Sequence, residues 1–324
     1  MVSASRFPPL LLINRSVRAD LLNSNAGRGT RGSLDNDITI GLVNIMPPAA
    51  MHKTERQFTN LLNLAAQRHK IRLKFFAVLD RCSENVATSQ VVHGYEDISK
   101  LWDSELDGLI VTGTEPKTAS MADEEIWPVL AKLVDWASEN TISSIWSCFA
   151  AHAAVFRLNG IQREPFAEKL SGIFECMKTT NHRIIAKAPA RWLVPHSRYN
   201  TLNEKELHEY GYHILSHSPR TGADTFVKQC VRSQFVFFQG HLEYDADTLY
   251  GEYCRDVKRY LNGRRATYPN QPEGYVNGEI VVGLQHPWQE AARQIYAGWL
   301  SYIAHQKRQP REHGYLPYTR QAGE

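Results

Sequence analysis

This 324-residue sequence predicts an α/β fold, with a mostly parallel or mixed central sheet flanked by helices. Three observations carry that expectation. Apolar runs of strand length alternate with amphipathic helical stretches through the first half, three closely spaced strand candidates follow, and two further helical segments come after them.

In chain order, residues 22–37 (LNSNAGRGTRGSLDND) are rich in Gly, Asn, Ser and Asp and read as a connection, making residues 1–37 an N-terminal arm and 38–324 a single α/β domain. The run ITIGLVNI (38–45) suits a strand buried on both faces. In 54–69, Phe58, Leu61, Leu62 and Ala65 fall at i, i+3, i+4 and i+7, an amphipathic helix. KIRLKFFAVL (70–79) is strand-like, and DGLIVTG (107–113) is a buried strand ending in glycine. Residues 122–140 are helical with acidic groups early, and TISSIWS (141–147) is a short strand. Strand candidates follow at 212–217, 225–231 and 235–240, and helices at 245–261 and 288–306. The Gly- and Pro-rich span 263–285 reads as a long surface excursion.

Composition narrows the function. A formal net charge of +3 gives no reason to expect a nucleic-acid or polybasic-membrane partner. No apolar run approaches the roughly 20 residues of a membrane span, and the first 20 residues make a poor signal peptide. The five cysteines (82, 148, 176, 230, 254) form no paired spacing, which fits a reducing compartment and a cytoplasmic protein. Neither H-E-x-x-H nor paired cysteines occur, so no metal site is expected; a Walker loop and a Rossmann fingerprint are also missing.

The segment SSIWSCFAAHAAVFRLNG (143–160) places Cys148 where a strand ends and an alanine-rich helix begins. A cysteine there is either a small core residue or a nucleophile, because a helix N-terminus favours the thiolate. FVFFQGHLEYD (235–245) supplies partners for the second reading. His241 follows a strand, and Glu243, two residues on, leans the same way on extended backbone and can orient the ring. Together they compose a candidate Cys148–His241–Glu243 triad.

The ordered set VNIMP, KTERQF, DGLIVTG, AEKLSGIFE, PHSRY and GHLEYDADTLYGEYCRD resembles the homoserine O-acyltransferases of methionine biosynthesis, the homoserine O-succinyltransferase (transsuccinylase) family, over roughly residues 38–305. The resemblance implies a class I glutamine amidotransferase-like (flavodoxin-like) fold. It also implies a ping-pong transfer of succinyl or acetyl from acyl-CoA to the hydroxyl of L-homoserine, with acyl-CoA as co-substrate, no resident cofactor, and a homodimer. It assigns the acyl-thioester to Cys148, the general base to His241, its orientation to Glu243, and substrate contacts to Lys169, Ser197 and Arg255. Taken without it, Arg255 is equally a solvated helix residue beside Asp256, Lys169 a surface lysine and Ser197 a loop hydroxyl.

The chain also departs from the family pattern. CFAAHAA stands where the family has a Cys-Trp pair and a glutamine; His152, at i+4 from Cys148, either approaches the thiol or fills the glutamine's polar site. GHLEYD replaces GHPEYD and keeps the triad spacing. After DGLIVTG, where the family's acyl-donor residue lies, the chain reads TEPKTAS. An ungapped reading places Lys117 there, which suits a succinyl carboxylate; a shifted one places Glu115, which suits acetyl. L-Serine or a related hydroxy amino acid is an alternative acceptor, since one methylene is worth only about 1–3 kcal/mol. A glutamine amidotransferase-type hydrolase would use the same triad.

Overall fold

The computed structural model describes residues 37–78, 94–275 and 285–309. Residues 1–36 of the N-terminal arm and residues 276–284 of the 263–285 span therefore lie outside the described residues.

Strand β1 (Asp37–Val43) is followed by helix α1 (Pro48–Ala65) and β2 (Lys70–Ala77). The helix starts six residues before the hydrophobic stripe suggested, because Pro48 at its first turn has its φ preset and lacks only an N–H that a helix start leaves unbonded anyway. A short β3 (Glu96–Asp97) precedes β4 (Gly108–Val111), α2 (Trp127–Asn140), β5 (Ser143–Ser147) and α3 (Phe149–Asn159). Then come β6 (Arg163–Lys178), β7 (Arg191–Leu202), α4 (Glu204–Glu209), β8 (His213–Ser218), β9 (Gly222–Gln229), β10 (Gln234–Phe238), α5 (Thr248–Leu261) and α6 (Gln289–Arg308).

Among the described residues ten strands form one sheet in the order β3-β2-β1-β4-β5-β10-β9-β8-β6-β7. From β3 to β10 the neighbours are parallel; from β10 to β7 they are antiparallel. The expected mixed sheet is thus a parallel half carrying an antiparallel extension. Alternate side chains feed two cores, one on each face. Ile38, Ile40 and Leu42 of β1 pack with Phe58, Leu61 and Leu62 of α1 and with Trp299 and Leu300 of α6. Leu109 and Val111 of β4 pack with Leu130 and Leu133 of α2 and with the buried alanines 150, 151, 153 and 154 of α3.

Two features depart from the sequence reading. The β6–β7 hairpin was not foreseen as strands. Its β7 carries Pro195, which a strand tolerates at a sheet edge, where β7 lies. The span expected as a surface excursion docks instead on β6 through its described part: Glu273 N–H bonds Ser171 O (2.9 Å) and Ile173 N–H bonds Glu273 O (2.8 Å). Gly172 permits this, since a Cβ there would lie 2.4 Å from Glu273 O, and Tyr275 is buried beyond the contact. Among the described residues no helix is long and apolar enough to cross a membrane.

Candidate active site

The parallel strands β5 and β10 are neighbours, so their carboxyl ends bring Cys148 and Gly240–His241 together, although some ninety residues separate them in sequence. Cys148 has φ 51° and ψ −110°, a conformation that costs a non-glycine residue about 1–3 kcal/mol. The surroundings impose it. Cys148 N–H bonds Phe238 O at 2.7 Å, and His152 N–H bonds Cys148 O at 3.2 Å. Gly113, two residues beyond β4, approaches so closely that a Cβ on it would sit 3.2 Å from the Cys148 Cβ. The next residue, Phe149, heads α3, where the first N–H groups have no acceptor within the helix.

His241 pairs through Nδ1 with Glu243 Oε1 at 2.7 Å, and Cys148 is close enough to act on its charge. Burial opposes its protonation, but the Glu243 and Cys148 charges outweigh it and hold the imidazole well above its ordinary pKa. The ring stacks on Tyr244 (centroids 4.2 Å, 13° between planes), and His241 N–H bonds Pro195 O at 2.8 Å. The three residues expected as a triad are therefore contiguous.

A charged cluster adjoins the triad. Tyr244 donates to Glu252 Oε1 (3.0 Å), and Ser197 Oγ donates to Glu252 Oε2. Lys169 Nζ lies 3.0 Å from Asp256 and 3.5 Å from Glu252. Arg255 Nε lies 3.3 Å from Asp256 Oδ1, as does Arg259 Nη1. Burial works against charge at Lys169, Glu252, Asp256 and Arg255 alike. Their mutual attraction overrides it, raising the pKa of the two cations and lowering that of the two carboxylates, so all four are ionised at neutral pH. Ser171 and Ser197 are paired across β6 and β7, and the β6 irregularity between Pro165 and Leu170 delivers Lys169 to the same place.

Of the two donor-loop candidates, the structure brings only Glu115 into this cluster. Its carboxylate pairs with Arg259 Nη1 (2.9 and 3.0 Å) and accepts from Tyr199 OH (3.3 Å). Lys117 is exposed and reaches Glu125, while its N–H is taken by Glu124. His152 is buried and faces Gln239: its Nε2 lies 3.1 Å from Gln239 Oε1, which also accepts from Arg198, so the histidine donates. Burial, with the Arg198 and Arg163 charges, pushes His152 down to about 3 and keeps it neutral.

Sequence reasoning missed Glu252, Tyr244 and Asp256, although all three stand inside the quoted GHLEYDADTLYGEYCRD stretch; the helical spacing of Glu252, Arg255 and Asp256 was the available signal. It missed Arg198 and His196 as well. Spacing motifs also gave no hint that the ligand atoms of buried Cys176, His196 and Asp224 lie within 4.8 Å of one another.

A family model described as homoserine O-succinyltransferase matches residues 30–310. A homoserine O-succinyltransferase of Bradyrhizobium japonicum is 46% identical over 267 residues, 82% of each chain. One of Rhodopseudomonas palustris is 46% identical over 248 residues, covering 76% of this chain and 74% of that protein. Among solved structures, a glutamine amidotransferase from Methylobacillus flagellatus superposes with TM-score 0.53 at 16% identity, over 86% of this chain and 99% of that one. One from Thermotoga maritima superposes with TM-score 0.50 at 11% identity, over 82% and 98%. These two likenesses speak to the fold, which is of the class I glutamine amidotransferase type.

Proposed function

The chain belongs to the homoserine O-succinyltransferase family, and on that premise we propose that this acyltransferase moves a succinyl group from succinyl-CoA to the hydroxyl of L-homoserine through an acyl-cysteine on Cys148. The observation that carries the reading is the adjacency of two half-sites: a Cys148–His241–Glu243 chain built for covalent acyl transfer, and a cluster of both charge signs suited to a zwitterionic amino acid.

In the first half-reaction His241 already holds the Cys148 proton as an imidazolium, and the sulfur attacks the thioester carbonyl. The tetrahedral intermediate collapses with release of the coenzyme A thiolate, which takes the proton from the imidazolium. The oxyanion donors this reading assigns are the N–H of Phe149, at the head of α3, and that of Gly113, which lies against Cys148. In the second half-reaction His241 accepts the proton of the homoserine hydroxyl as its oxygen attacks the acyl-cysteine. Collapse of that intermediate releases the ester, and the proton returns to the Cys148 sulfur. Glu243 holds the ring's tautomer and stabilises its cation in both halves.

Arg255, 41% exposed at its side chain, offers a guanidinium fork to the homoserine carboxylate. Glu252, with Ser197 and Lys169 beside it, faces the ammonium end. The succinyl donor is supported by the relatives' names and by the Arg259 charge that offsets Glu115. The reading carries with it a cytoplasmic homodimer without a resident metal or organic cofactor, acyl-CoA entering as co-substrate, as the family resemblance implies.

Intact-mass measurement after incubation with succinyl-CoA or acetyl-CoA, without acceptor, tests it. The expected result is one succinyl adduct, lost in Cys148→Ala and discharged by homoserine faster than by serine. Folded protein with no adduct from either donor would transfer the triad to glutamine hydrolysis instead.

A further inference from the structure

The buried Cys176–His196–Asp224 grouping looks like a second reactive constellation, yet its environment argues for another task. Cys176 is fully buried, and burial together with the Asp224 charge pushes its thiol far above the ordinary range, so it is no nucleophile. Arg198 lies alongside, a cation in the place where a metal would need to be the only one. Its guanidinium is engaged at all three nitrogens: Nε donates to His196 Nδ1 (3.3 Å), Nη1 to Asn200 O (2.9 Å) and Gln239 Oε1 (3.0 Å), and Nη2 to Thr221 O (2.7 Å). Because His196 Nδ1 accepts, the proton of this neutral ring is on Nε2. That Nε2 has no hydrogen-bond partner; Asp224 Oδ1 stands 3.4 Å away.

Asp224 is held from its other side. Oδ2 accepts from Ser216 Oγ (3.1 Å) and Thr225 Oγ1 (2.9 Å), and Oδ1 accepts the N–H of Gly240 (3.1 Å). Gly240 directly precedes His241. A Cβ on it would lie 2.3 Å from Val194 Cγ1, 2.8 Å from Asp224 Oδ1 and 3.0 Å from His196 Nε2. The backbone before the general base is thus pressed into a seat made by β7 and β9, and His241's own N–H is tied to Pro195 of the same β7.

We propose that His196 and Asp224 are positioning residues that fix the Gly240–His241 turn, and thereby the distance between the His241 imidazole and the Cys148 sulfur, with Arg198 as the anchor behind them. The inference rests on the catalytic reading of Cys148 and His241 above. Neither His196 nor Asp224 touches substrate. They act through the backbone, and β7 carries both this seat and the Ser197 substrate contact on alternate faces, so the base and the amino-acid site share one rigid strand.

The test separates the two contacts of His196. His196→Asn keeps an acceptor near Nδ1 for Arg198, which preserves the fold, but ends short of Asp224. His196→Gln places its amide nitrogen where Nε2 was. Misplacing a base by about 1 Å costs on the order of 10²-fold, so His196→Asn is expected to lose about that factor in kcat at unchanged KM for both substrates, with His196→Gln close to wild type. Rates of Cys148 alkylation by iodoacetamide across pH, assigned to Cys148 by peptide mass, supply a readout that loss of stability alone does not move. The midpoint moves to higher pH in His196→Asn and stays in His196→Gln, because withdrawing the imidazolium leaves the thiolate less stabilised. If both variants match wild type, or both fall alike with an unmoved alkylation profile, the positioning role is refuted. One equivalent of zinc or iron in the purified protein would also overturn it, since Nε2 would then be a ligand. His241→Asn, run beside them, distinguishes the failures: if it leaves the alkylation profile unchanged, the catalytic reading itself has failed.

Discussion

The loop that carries Glu115 is held by a buried ion pair whose removal has a calculable consequence. Arg163 Nη2 and Glu124 Oε1 are 2.7 Å apart, with side chains 1% and 3% exposed. Glu124 also accepts the N–H groups of Lys117 and Thr118, and Arg163 donates to Thr118 O and Ala119 O, so the two residues lace residues 117–119 to the start of β6. Glu124→Ala leaves a guanidinium that water cannot reach, together with two unbonded backbone donors. Removing one partner of a buried pair costs about 3–5 kcal/mol, whereas replacing both by apolar groups is close to neutral. For a domain of this size that corresponds to a fall in Tm of roughly 10 °C. Thermal and urea unfolding followed by circular dichroism should show this loss in Glu124→Ala and its partial recovery in Glu124→Ala/Arg163→Met, which removes the unpaired charge but leaves the loop's backbone groups unbonded. The gap depends on pH. Burial opposes ionisation of Glu124, but Arg163 and the backbone N–H groups hold its pKa below the ordinary value. Its contribution is therefore complete above the unfolded glutamate value of about 4.3 and disappears as pH falls through the lower folded value. A loss below about 1 kcal/mol at pH 7, or a double variant no more stable than the single one, would refute the reasoning.

Two further outcomes are expected. Glu243→Gln keeps the shape of the contact and removes the charge that holds up the His241 pKa; the imidazolium, which persists above pH 6.5 in the wild type and is lost as pH rises through its folded value, is then lost at lower pH. Donor kcat/KM should fall about 10²- to 10⁴-fold with its alkaline limb displaced to lower pH, and an unmoved limb would contradict the assignment. Glu115→Ala frees Arg259 for a donor carboxylate, so the ratio of kcat/KM for succinyl-CoA to that for acetyl-CoA should rise about 10- to 100-fold; an unchanged ratio would remove Glu115 from donor selection.

The sequence by itself determined the parallel half of the sheet and the heart of the site. β4 is buried and apolar throughout and β1 and β10 are nearly so, while β5 buries Ile145 and Trp146 between serines; such short runs of apolar and small residues are readable without knowing what covers them. His241 and Glu243 are two residues apart, so their partnership is local, although the backbone joining them is a turn closed by Tyr244 N–H on His241 O (3.3 Å) and not the extended chain expected; Cys148 stands at a strand–helix junction that the sequence pattern reveals.

Tertiary structure decided the rest. Strand β7 buries Trp192, Val194, His196 and Arg198 at alternate positions, yet half of these are polar, and a hydrophobic pattern cannot display them. Arg198 is a buried residue only because Gln239, Thr221, Asn200 and His196, from three separate stretches of chain, converge on its donors. Which of Glu115 and Lys117 faces the site was likewise settled by Arg259, 144 residues from Glu115. An apolar side chain is buried for what it is, and its place shows in periodicity. A charged one is buried only where distant groups satisfy it, and those groups are assembled by the fold.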